Sequence, residues 1–240
     1  LGEGATSWVF AATDPVERRV ALKILKTGFD TDQRARFQRE GELAARLVHP
    51  GVLPIYGGGE FGGRPFLVYE LVEGARELGA WLIGRPLEER VRCVRDAAVA
   101  VGFAHAQGVV HRDLKLANVL IGDGGRVQVA DFGLARATDS QGLTRTGALL
   151  GTPVAMAPEQ IGGEAAGPQA DVWALGVMLF EALTGQLPFQ APTLWELAAQ
   201  VAGTEPLRPS QLSSEVSPAL EAVCLKALRK DPAERYPDAG

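Results

Sequence analysis

Three polar side chains with potential for chemistry lie close together in the segment "HRDLKLANVLI", residues 111–121, just before an apolar run. They are Asp113, Lys115 and Asn118, and Asp131 follows 18 residues beyond Asp113 in "VADFGLAR". Two β-like runs, "NVLI" and "RVQVA", occupy the gap, so a hairpin is expected to bring the two loops together. Asn118 and Asp131 would then offer oxygen ligands to Mg²⁺, which prefers hard oxygens and keeps substrate phosphates in its shell. Taken alone, such a loop is equally compatible with a solvated surface turn.

A second charged pair is predicted near the start of the chain, where "VALKIL" places Lys23 inside an alternating strand. A helix should follow, roughly from Asp32 to Leu47, and four of its residues share one packing stripe: Phe37, Glu40, Ala44 and Leu47. A carboxylate buried on that stripe needs a cation, because a lone buried charge is strongly destabilising. Lys23 is the nearest reasonable partner, and the pair would hold the ammonium within reach of phosphate oxygens. The ordinary alternative is a lysine on the solvent face of its strand.

The segment "GEGATSWV" is a glycine-rich turn between two β-like runs. Gly2 and Gly4 would let backbone N–H groups approach phosphates closely, although an ordinary hairpin has the same pattern. A strand follows the turn rather than a helix, which argues against a dinucleotide-binding βαβ unit. The same observation, with the absence of a GK[ST] sequence, argues against a P-loop.

The elements that must position these residues divide into two kinds. Up to about Leu71–Gly74, the chain reads as strands around one helix, whereas helical periodicity dominates beyond that point. The stretch "ADVWALGVMLFEALTG" is apolar nearly all round and predicts a helix buried in a larger lobe. We therefore expect an α+β fold in which a small β-rich lobe and a larger helical lobe share a cleft.

Composition limits the functions that need to be considered. The chain has 240 residues, is 46% hydrophobic and carries a net charge of −5, so it is globular and lacks the basic excess of nucleic-acid-binding proteins. Its three histidines have no zinc-ligand spacing, and Cys93 and Cys224 are expected to be two buried thiols. The apolar run at 172–180 is too short to span a bilayer. The chain lacks an initiating Met and stops at "ERYPDAG", where a helix is expected to begin, so we expect an excised domain.

These segments together resemble the protein kinase family, and most closely the eukaryotic-like Ser/Thr kinases of bacteria. The resemblance covers residues 1–240, with 1–72 as an N-lobe whose start is truncated and 73–240 as a C-lobe whose end is truncated. The motifs occur in family order: "GEGATSWV", "VALKIL", "RFQREGELAARLVHP", "HRDLKLAN", "VADFGLAR", "GTPVAMAPEQ", "DVWALGVMLFEALTG" and "DPAERY".

The resemblance implies a transferase that uses ATP and Mg²⁺, with Mn²⁺ as an alternative metal. It makes Asp113 the base that accepts the proton of the substrate hydroxyl, and Lys115 the cation that neutralises the γ-phosphoryl group. Asn118 and Asp131 would hold Mg²⁺, and Lys23 would hold the α- and β-phosphates while paired with Glu40. The residues expected to bind the nucleotide are Gly2, Glu3, Gly4, Ala5, Thr6, Ser7, Val9, Ala21, Lys23, Glu40, Tyr69, Glu70, Val72, Leu120 and Asp131. Among these, Tyr69 resembles the gatekeeper, while the backbones of Glu70 and Val72 would meet the adenine edge and Val9, Ala21 and Leu120 would sandwich the ring.

The resemblance also implies regulation in the segment from 131 to 159. Thr144 and Thr146 resemble the double-Thr autophosphorylation site of bacterial relatives, and a phosphate there could pair with Arg112 and Arg136, joined by Arg36. Lys115 and the "GTP" sequence before "APE" are typical of the Ser/Thr branch, and Thr152 is expected to bond Asp113 and Lys115. The implied partners are proteins with Ser or Thr acceptors and a second copy through the N-lobe, with no nucleic acid and no membrane contact from this domain. The implied location is cytoplasmic, in a parent protein with room for an anchor elsewhere.

Two structural pairings and three departures complete the comparison with the family pattern. Glu159 is expected to pair with Arg235, and Asp171 is expected to cap the backbone of the catalytic loop. Ser7 stands where a third glycine is usual, Leu116 replaces the usual Pro of the catalytic loop, and Ala155 replaces a Tyr or Trp that packs in the substrate-binding region.

Three interpretations stay open at this point. The first is an active Ser/Thr protein kinase. The second is a pseudokinase that binds nucleotide and signals by shape, which the presence of Lys23, Asp113 and Asp131 disfavours. The third is a small-molecule kinase of the same two-lobed fold, which Lys115 and the "GTP…APE" segment disfavour because those features build a peptide platform.

Overall fold

A five-stranded antiparallel sheet forms the first part of the molecule. The computed structural model describes residues 1–3, 7–26, 31–132 and 153–240; within the helix at 31–44 it describes the backbone but not the side chains of 31–33, 36 and 40. The strands are β1 Gly2–Glu3, β2 Ser7–Thr13, β3 Arg19–Leu25, β4 Ile55–Phe61 and β5 Arg64–Glu70. Their order in the sheet is β1-β2-β3-β5-β4, so β3 lies at the centre and pairs with both β2 and β5.

The register of the central strands follows from their alternating pattern. On β5, Leu67 and Tyr69 are buried, while Phe66, Val68 and Glu70 on either side of them are half-buried. The ladder pairs Leu67 with Lys23 and Tyr69 with Ala21, so the predicted lysine sits in mid-sheet. Strand β4 passes close over Leu67 because it carries a glycine at 58, where a Cβ would meet a Leu67 methyl at 2.7 Å.

The helix predicted over residues 32–47 is present as α1, Thr31–Ala44. It ends earlier than expected, and the chain continues into two turn residues before Leu47. Phe37, Ala44 and Leu47 are all buried, which confirms the predicted packing stripe at these positions. Phe37 joins Leu67 and its neighbours in a small apolar core between α1 and the sheet.

The second part of the molecule is helical around one large core and a three-stranded sheet of order β6-β7-β8. The strands are β6 Arg76–Glu77, β7 Val119–Ile121 and β8 Val127–Val129. The α-helices are α2 Leu78–Leu82, α3 Leu87–Ala106, Pro158–Ile161, Pro168–Thr184, Leu194–Gly203, Pro209–Leu212 and Pro218–Ala227, with 3-10 turns at Leu116–Asn118, Pro153–Ala155 and Pro232–Glu234. The helix Pro168–Thr184, called the buried helix below, is enclosed along almost its whole length, as its sequence predicts. The α+β prediction is thus confirmed.

The helix expected to begin in "ERYPDAG" is not formed. After the turn Pro232–Glu234 the chain runs on irregularly to Gly240. Pro237 disfavours helical backbone at the residue before it, which accounts for the wrong prediction. Instead, the backbone N–H of Ala239 donates to His105 Nδ1 at 3.3 Å, which ties this segment to α3.

The two cysteines are both buried and free, as predicted. Burial raises the pKa of the Cys224 thiol to about 12, so it stays protonated and unreactive at neutral pH. Among the helices that the structure describes, none combines the length and the apolar character needed to cross a membrane.

Candidate active site

The β7–β8 hairpin brings the two predicted loops together. Val119 pairs with Val129 across the hairpin, and the N–H of Ala130 donates to the backbone oxygen of Asn118 at 2.8 Å. Asp131 follows directly, so Asn118 and Asp131 leave the same end of the hairpin on neighbouring strands. This confirms the predicted juxtaposition of the two loops.

A compact polar cluster surrounds Asp113. Lys115 Nζ lies 2.8 Å from Asp113 Oδ2, and Asn118 Nδ2 donates to the Asp113 backbone oxygen at 2.7 Å and to Oδ2 at 3.2 Å. Within the described residues, Asp113 Oδ1 and Asn118 Oδ1 accept no hydrogen bond. Two oxygen acceptors on this loop are therefore left without a described donor.

The backbone of this loop is fixed by Asp171 on the buried helix, as predicted. One carboxylate accepts from the N–H of His111 at 2.7 Å and from the N–H of Arg112 at 2.8 Å. Arg112 has φ +67°, in the left-handed region that a non-glycine residue adopts at some energetic cost. Charge-assisted hydrogen bonds from these two N–H groups to the buried carboxylate offset that cost and hold Asp113 in place.

Two further contacts to this loop were not predicted. His105 Nε2 lies 2.8 Å from Asp171 Oδ2, and because His105 Nδ1 accepts from Ala239, Nε2 carries the hydrogen. Gln160 bridges two backbones: its Oε1 accepts from Ala157 N–H at 3.0 Å and its Nε2 donates to Arg112 O at 2.8 Å. The sequence offered a signal only for His105, which continues the helical spacing of the apolar residues Val94, Ala98 and Val101 on α3.

Lys23 contacts Asp131 directly. Lys23 Nζ lies 2.6 Å from Asp131 Oδ2, and the hydroxyl of Tyr69 donates to Asp131 Oδ1 at 3.0 Å. The predicted partner of Lys23 was Glu40, whose side chain lies outside the described residues, so that pairing stays a prediction. The contact between Tyr69 and Asp131 was not predicted.

The electrostatics of this group follow from its burial and its pairing. Burial alone would raise the pKa of Asp131, but the charge and hydrogen bond of Lys23, together with the Tyr69 hydroxyl, lower it below its ordinary value. Burial, followed by the neighbouring negative charge of Asp131, raises the pKa of Tyr69 well above its ordinary value. At neutral pH the group is therefore a carboxylate that accepts from an ammonium and from a neutral phenol.

The residues on either side of Asp131 in the chain are also held by contacts with His111. His111 Nε2 donates to the backbone oxygen of Ala130 at 2.8 Å, and the rings of His111 and Phe132 lie 4.8 Å apart. Asp131 itself has φ +63°, again in the left-handed region. A strained backbone with buried anchors on both sides fixes the direction in which the carboxylate leaves the chain.

The small core beside this group includes two of the three side chains predicted to sandwich an adenine ring, Ala21 and Leu120, together with Val72, which was predicted to meet the adenine edge through its backbone. Ala21, Val72 and Leu120 are partly buried and pack against the same small core as Tyr69. The N–H of Val72 donates to no group that the structure describes, whereas its carbonyl accepts from Ala75 at 3.3 Å. A backbone N–H with no described acceptor, next to apolar side chains, is suited to a flat heterocycle with an acceptor edge.

The remaining predicted residues are distributed as follows. Gly2 and Glu3 form β1, with Gly2 opposite Val9. Lys26 Nζ donates to Glu3 Oε1 at 2.7 Å. The Glu70 carboxylate accepts from Arg126 at 2.9 Å, and the Glu70 backbone N–H donates to Pro54 O at 2.9 Å. Ser7 is buried in β2, and the Arg112 guanidinium contacts no described acceptor. Besides Glu40, eight predicted residues or their side chains lie outside the described set: Gly4, Ala5, Thr6, Arg36, Arg136, Thr144, Thr146 and Thr152.

Leu116 and Ala155, the two departures from the family pattern that lie in the described helical part, have different surroundings. Leu116 is partly buried against the main core, and its Cβ would lie 3.5 Å from a Cβ placed at Gly79 of α2. An apolar contact with α2 thus replaces the rigidity of a proline at this point. Ala155 is partly buried at a cavity of about 20 Å³ next to Asp113 and Lys115, which is room for about one water molecule.

A buried ion pair closes the far side of the site, as predicted. Arg235 forms a bidentate pair with Glu159, with both N···O distances 2.8 Å, and its guanidinium also donates to three backbone oxygens. The guanidinium also lies over the ring of Trp173, 5.1 Å from its centroid. The pair ties the helix Pro158–Ile161 to the chain around Arg235.

Comparison with known proteins agrees with this geometry. The model of the family described as "Protein kinase domain" matches residues 1–237. The chain belongs to the protein kinase family. The lysine of β3 and the polar cluster around Asp113 therefore sit in a protein kinase domain.

Several named kinases resemble this protein kinase domain over its whole length. It is 39% identical to serine/threonine-protein kinase PknB of Mycobacterium leprae over 249 aligned residues, and the match spans 40% of that protein. It is 37% identical to serine/threonine-protein kinase PknL of Mycobacterium tuberculosis, where it spans 61% of the length. Among solved structures, a point mutant of the Mycobacterium tuberculosis PknI kinase domain matches all of this chain and 88% of its own, with a TM-score of 0.77 and 30% identity. Rad53 residues 1–466 in complex with AMP-PNP matches with a TM-score of 0.81 and 25% identity, covering 98% of this chain and 60% of its own.

Proposed function

We propose that this domain transfers the γ-phosphoryl group of ATP to Ser or Thr hydroxyls of proteins. The observation that carries the proposal is the meeting of Lys23, Asp131 and the Asp113–Lys115–Asn118 cluster at one end of the β7–β8 hairpin. Phosphoryl transfer needs mainly positioning and charge stabilisation, and these side chains supply both. The curated relatives of 36–39% identity that are named serine/threonine-protein kinases support the choice of acceptor.

The acceptor hydroxyl is assigned to Asp113. Its Oδ1 carries no hydrogen bond from the described residues, while Oδ2 is held by Lys115 and Asn118. One oxygen can thus orient the hydroxyl and accept its proton while the other stays fixed. Lys115 lies close enough to the same carboxylate to neutralise charge on the group in transfer.

The nucleotide is assigned to the space between the sheet and the hairpin. Lys23 would move some or all of its contact from Asp131 to the α- and β-phosphates. Glu40 is proposed to pair with the Lys23 ammonium and hold it there. Backbone groups of the segment 2–7 and of Glu70 and Val72 would contact the phosphates and the adenine edge. Val9, Ala21 and Leu120 would enclose the ring.

The donor set fits a magnesium ion. Asp131 supplies a carboxylate and Asn118 a carbonyl oxygen that accepts no bond from the described residues, and hard oxygens are the ligands that Mg²⁺ and Mn²⁺ prefer. Within the described residues no cluster of three or more His, Cys, Asp or Glu could hold a metal, so substrate phosphates would have to complete the shell. When bound, the ion would neutralise phosphate charge.

Regulation is proposed for the segment that contains Thr144 and Thr146. A phosphothreonine would pair with Arg112, whose guanidinium contacts no described acceptor, and with Arg136. We expect Thr144→Ala with Thr146→Ala to lower kcat/KM for a protein substrate. An unchanged kcat/KM in this double variant would remove the regulatory assignment and leave the catalytic one intact.

The remaining assignments concern the context of the domain. We propose residues 1–72 as the N-lobe and 73–240 as the C-lobe, working in the cytoplasm with their two thiols reduced. A homodimer through the N-lobe is proposed as the mode of self-association. Analytical ultracentrifugation across micromolar concentrations tests it, and a monomer throughout would rule it out.

The central experiment is incubation with Mg·ATP followed by mass spectrometry of the chain and of a generic protein substrate. Wild type is compared with Asp113→Asn, and Asp96→Asn, at an exposed carboxylate on α3, is the matched control. We expect phosphate on Ser or Thr with wild type and with the control but not with Asp113→Asn. Nucleotide binding without transfer in wild type would instead indicate a pseudokinase, and transfer to sugars or aminoglycosides but not to protein would indicate a small-molecule kinase.

A further inference from the structure

The hydroxyl of Tyr69 is buried against the carboxylate of Asp131, which follows strand β8 of the second sheet. Tyr69 is 4% exposed, and its hydroxyl donates to Asp131 Oδ1 at 3.0 Å. A phenylalanine would fill nearly the same volume without a polar atom that needs a partner in the core. The hydroxyl therefore has a contact that serves Asp131 rather than the packing of the sheet.

Both ends of this hydrogen bond are held by backbone. Tyr69 lies in β5, opposite Ala21 of the central strand β3. Asp131 follows β8, whose Val129 donates to Gly51 O at 2.8 Å and accepts from Leu53 N–H at 2.9 Å. The bond thus connects two rigid elements, and its geometry depends little on flexible side chains because the tyrosine has only a ring to orient.

The two described side-chain donors to Asp131 differ in what they can do when nucleotide binds. Lys23 holds Oδ2 by a flexible stem and, in the proposed function, turns toward phosphates. Tyr69 has no such second partner among the described residues, so its bond to Oδ1 persists. An oxygen of a carboxylate has two lone-pair positions, so Oδ1 can accept from Tyr69 and still coordinate a cation.

We propose that Tyr69 is a positioning residue for Asp131. The hydroxyl of Tyr69 orients the Asp131 carboxylate for the divalent metal of the metal–nucleotide complex. This inference rests on the proposed function only through metal–nucleotide binding. Hydrogen-bond donors to a metal-binding carboxylate typically change metal affinity by about 10–100-fold when removed. The substitution Tyr69→Phe deletes this donor and little else.

The test is a fluorescence titration with N-methylanthraniloyl-ADP, first in EDTA and then with increasing Mg²⁺. For Tyr69→Phe we expect the Mg²⁺ concentration for half-maximal tightening to rise by about 10-fold or more, with affinity in EDTA within about twofold of wild type. Tyr56→Phe is the matched control, since Tyr56 is an exposed tyrosine of the same sheet with its ring stacked on Arg18. Tyr69→Met, which also lacks the hydroxyl, must show the same direction, and thermal unfolding checks that each variant is folded.

The possible results separate this inference from the proposed function. An unchanged or lower Mg²⁺ requirement in both Tyr69 variants overturns the positioning role. A loss of probe affinity in EDTA as large as the loss in Mg²⁺ overturns it too, because Tyr69 would then be part of the pocket wall only. If wild type binds the probe without any response to Mg²⁺ or Mn²⁺, the proposed metal-dependent function itself fails, and this inference fails with it.

Discussion

Replacing Asp171 by Asn should destabilise the protein and disorganise the loop that carries Asp113. The side chain of Asp171 is 1% exposed and accepts three hydrogen bonds. Two of them, from His111 N–H and His105 Nε2, reach Oδ2, and the third, from Arg112 N–H, reaches Oδ1. An amide has one oxygen and one NH₂ group, so it can accept at only one of these two positions.

The magnitude follows from counting what the amide can still satisfy. With its oxygen at the Oδ2 position, the NH₂ faces the N–H of Arg112, and a buried donor left without an acceptor costs about 1–3 kcal/mol. The two remaining bonds lose their charge assistance, at a cost of about 1 kcal/mol each. The total is about 3–5 kcal/mol, which lowers Tm by about 6–20 °C for a chain of this size.

Urea denaturation of wild type beside Asp171→Asn measures this loss. Asp96→Asn serves as the control, because the Arg95–Asp96 pair is exposed and should change stability by less than about 1 kcal/mol. A shift of about 1 Å in Asp113 would also lower kcat about 100-fold. Stability of Asp171→Asn equal to that of the control would show that water or another group replaces the carboxylate, and the account of the loop given above would be wrong.

Three further changes have defined expectations. Glu159→Gln leaves the guanidinium of Arg235 buried without its counter-ion and should cost about 3–5 kcal/mol in urea denaturation, whereas a loss below about 1 kcal/mol would contradict the pairing. Gly58→Ala should cost about 1–3 kcal/mol, because its Cβ would lie 2.8 Å from a backbone oxygen, while Gly57→Ala, which meets nothing within 4 Å, should be nearly neutral in the same measurement. Burial lowers the pKa of Lys230 to about 8 from 10.5. Between these pH values the unfolded chain binds a proton that the folded chain does not, so the free energy of unfolding should rise with pH. Lys230→Met should lack this slope if the assignment is correct.

Much of the site could be predicted because its parts are set by short-range patterns. The hairpin between Asn118 and Asp131 follows from two β-like runs with a turn between them. Pairing of the two antiparallel strands then places the outer ends of the hairpin side by side. The buried stripe of α1 follows in the same way from helical spacing, as Phe37 and Ala44 show. The pairing of Glu159 with Arg235 lies 76 positions apart and came from the family pattern alone.

The contacts that were missed depend on how separate elements pack. Helical spacing placed His105 on the inner face of α3, but its acceptor lies on the buried helix, 66 positions later. Which atoms meet there depends on the relative rotation of two helices that no local pattern specifies. The role of Gln160 likewise depends on the carbonyl direction of Arg112, whose positive φ is imposed by Asp171 and not by its own preference.

The contact between Tyr69 and Asp131 points to a division of the site into a fixed half and an adjustable half. Asp113 stands on a loop whose anchors, Asp171 and His111, are at most 1% exposed, so its position is set by the large core. Lys23 and Asp131 instead join two sheets through side chains that are 16% and 25% exposed, with the Tyr69 hydroxyl as a second tie. Changes behind Asp113 should therefore act on stability and kcat together. Changes around Asp131 should act on the metal requirement and leave the fold intact, because in the proposed function only the second half rearranges when a nucleotide enters.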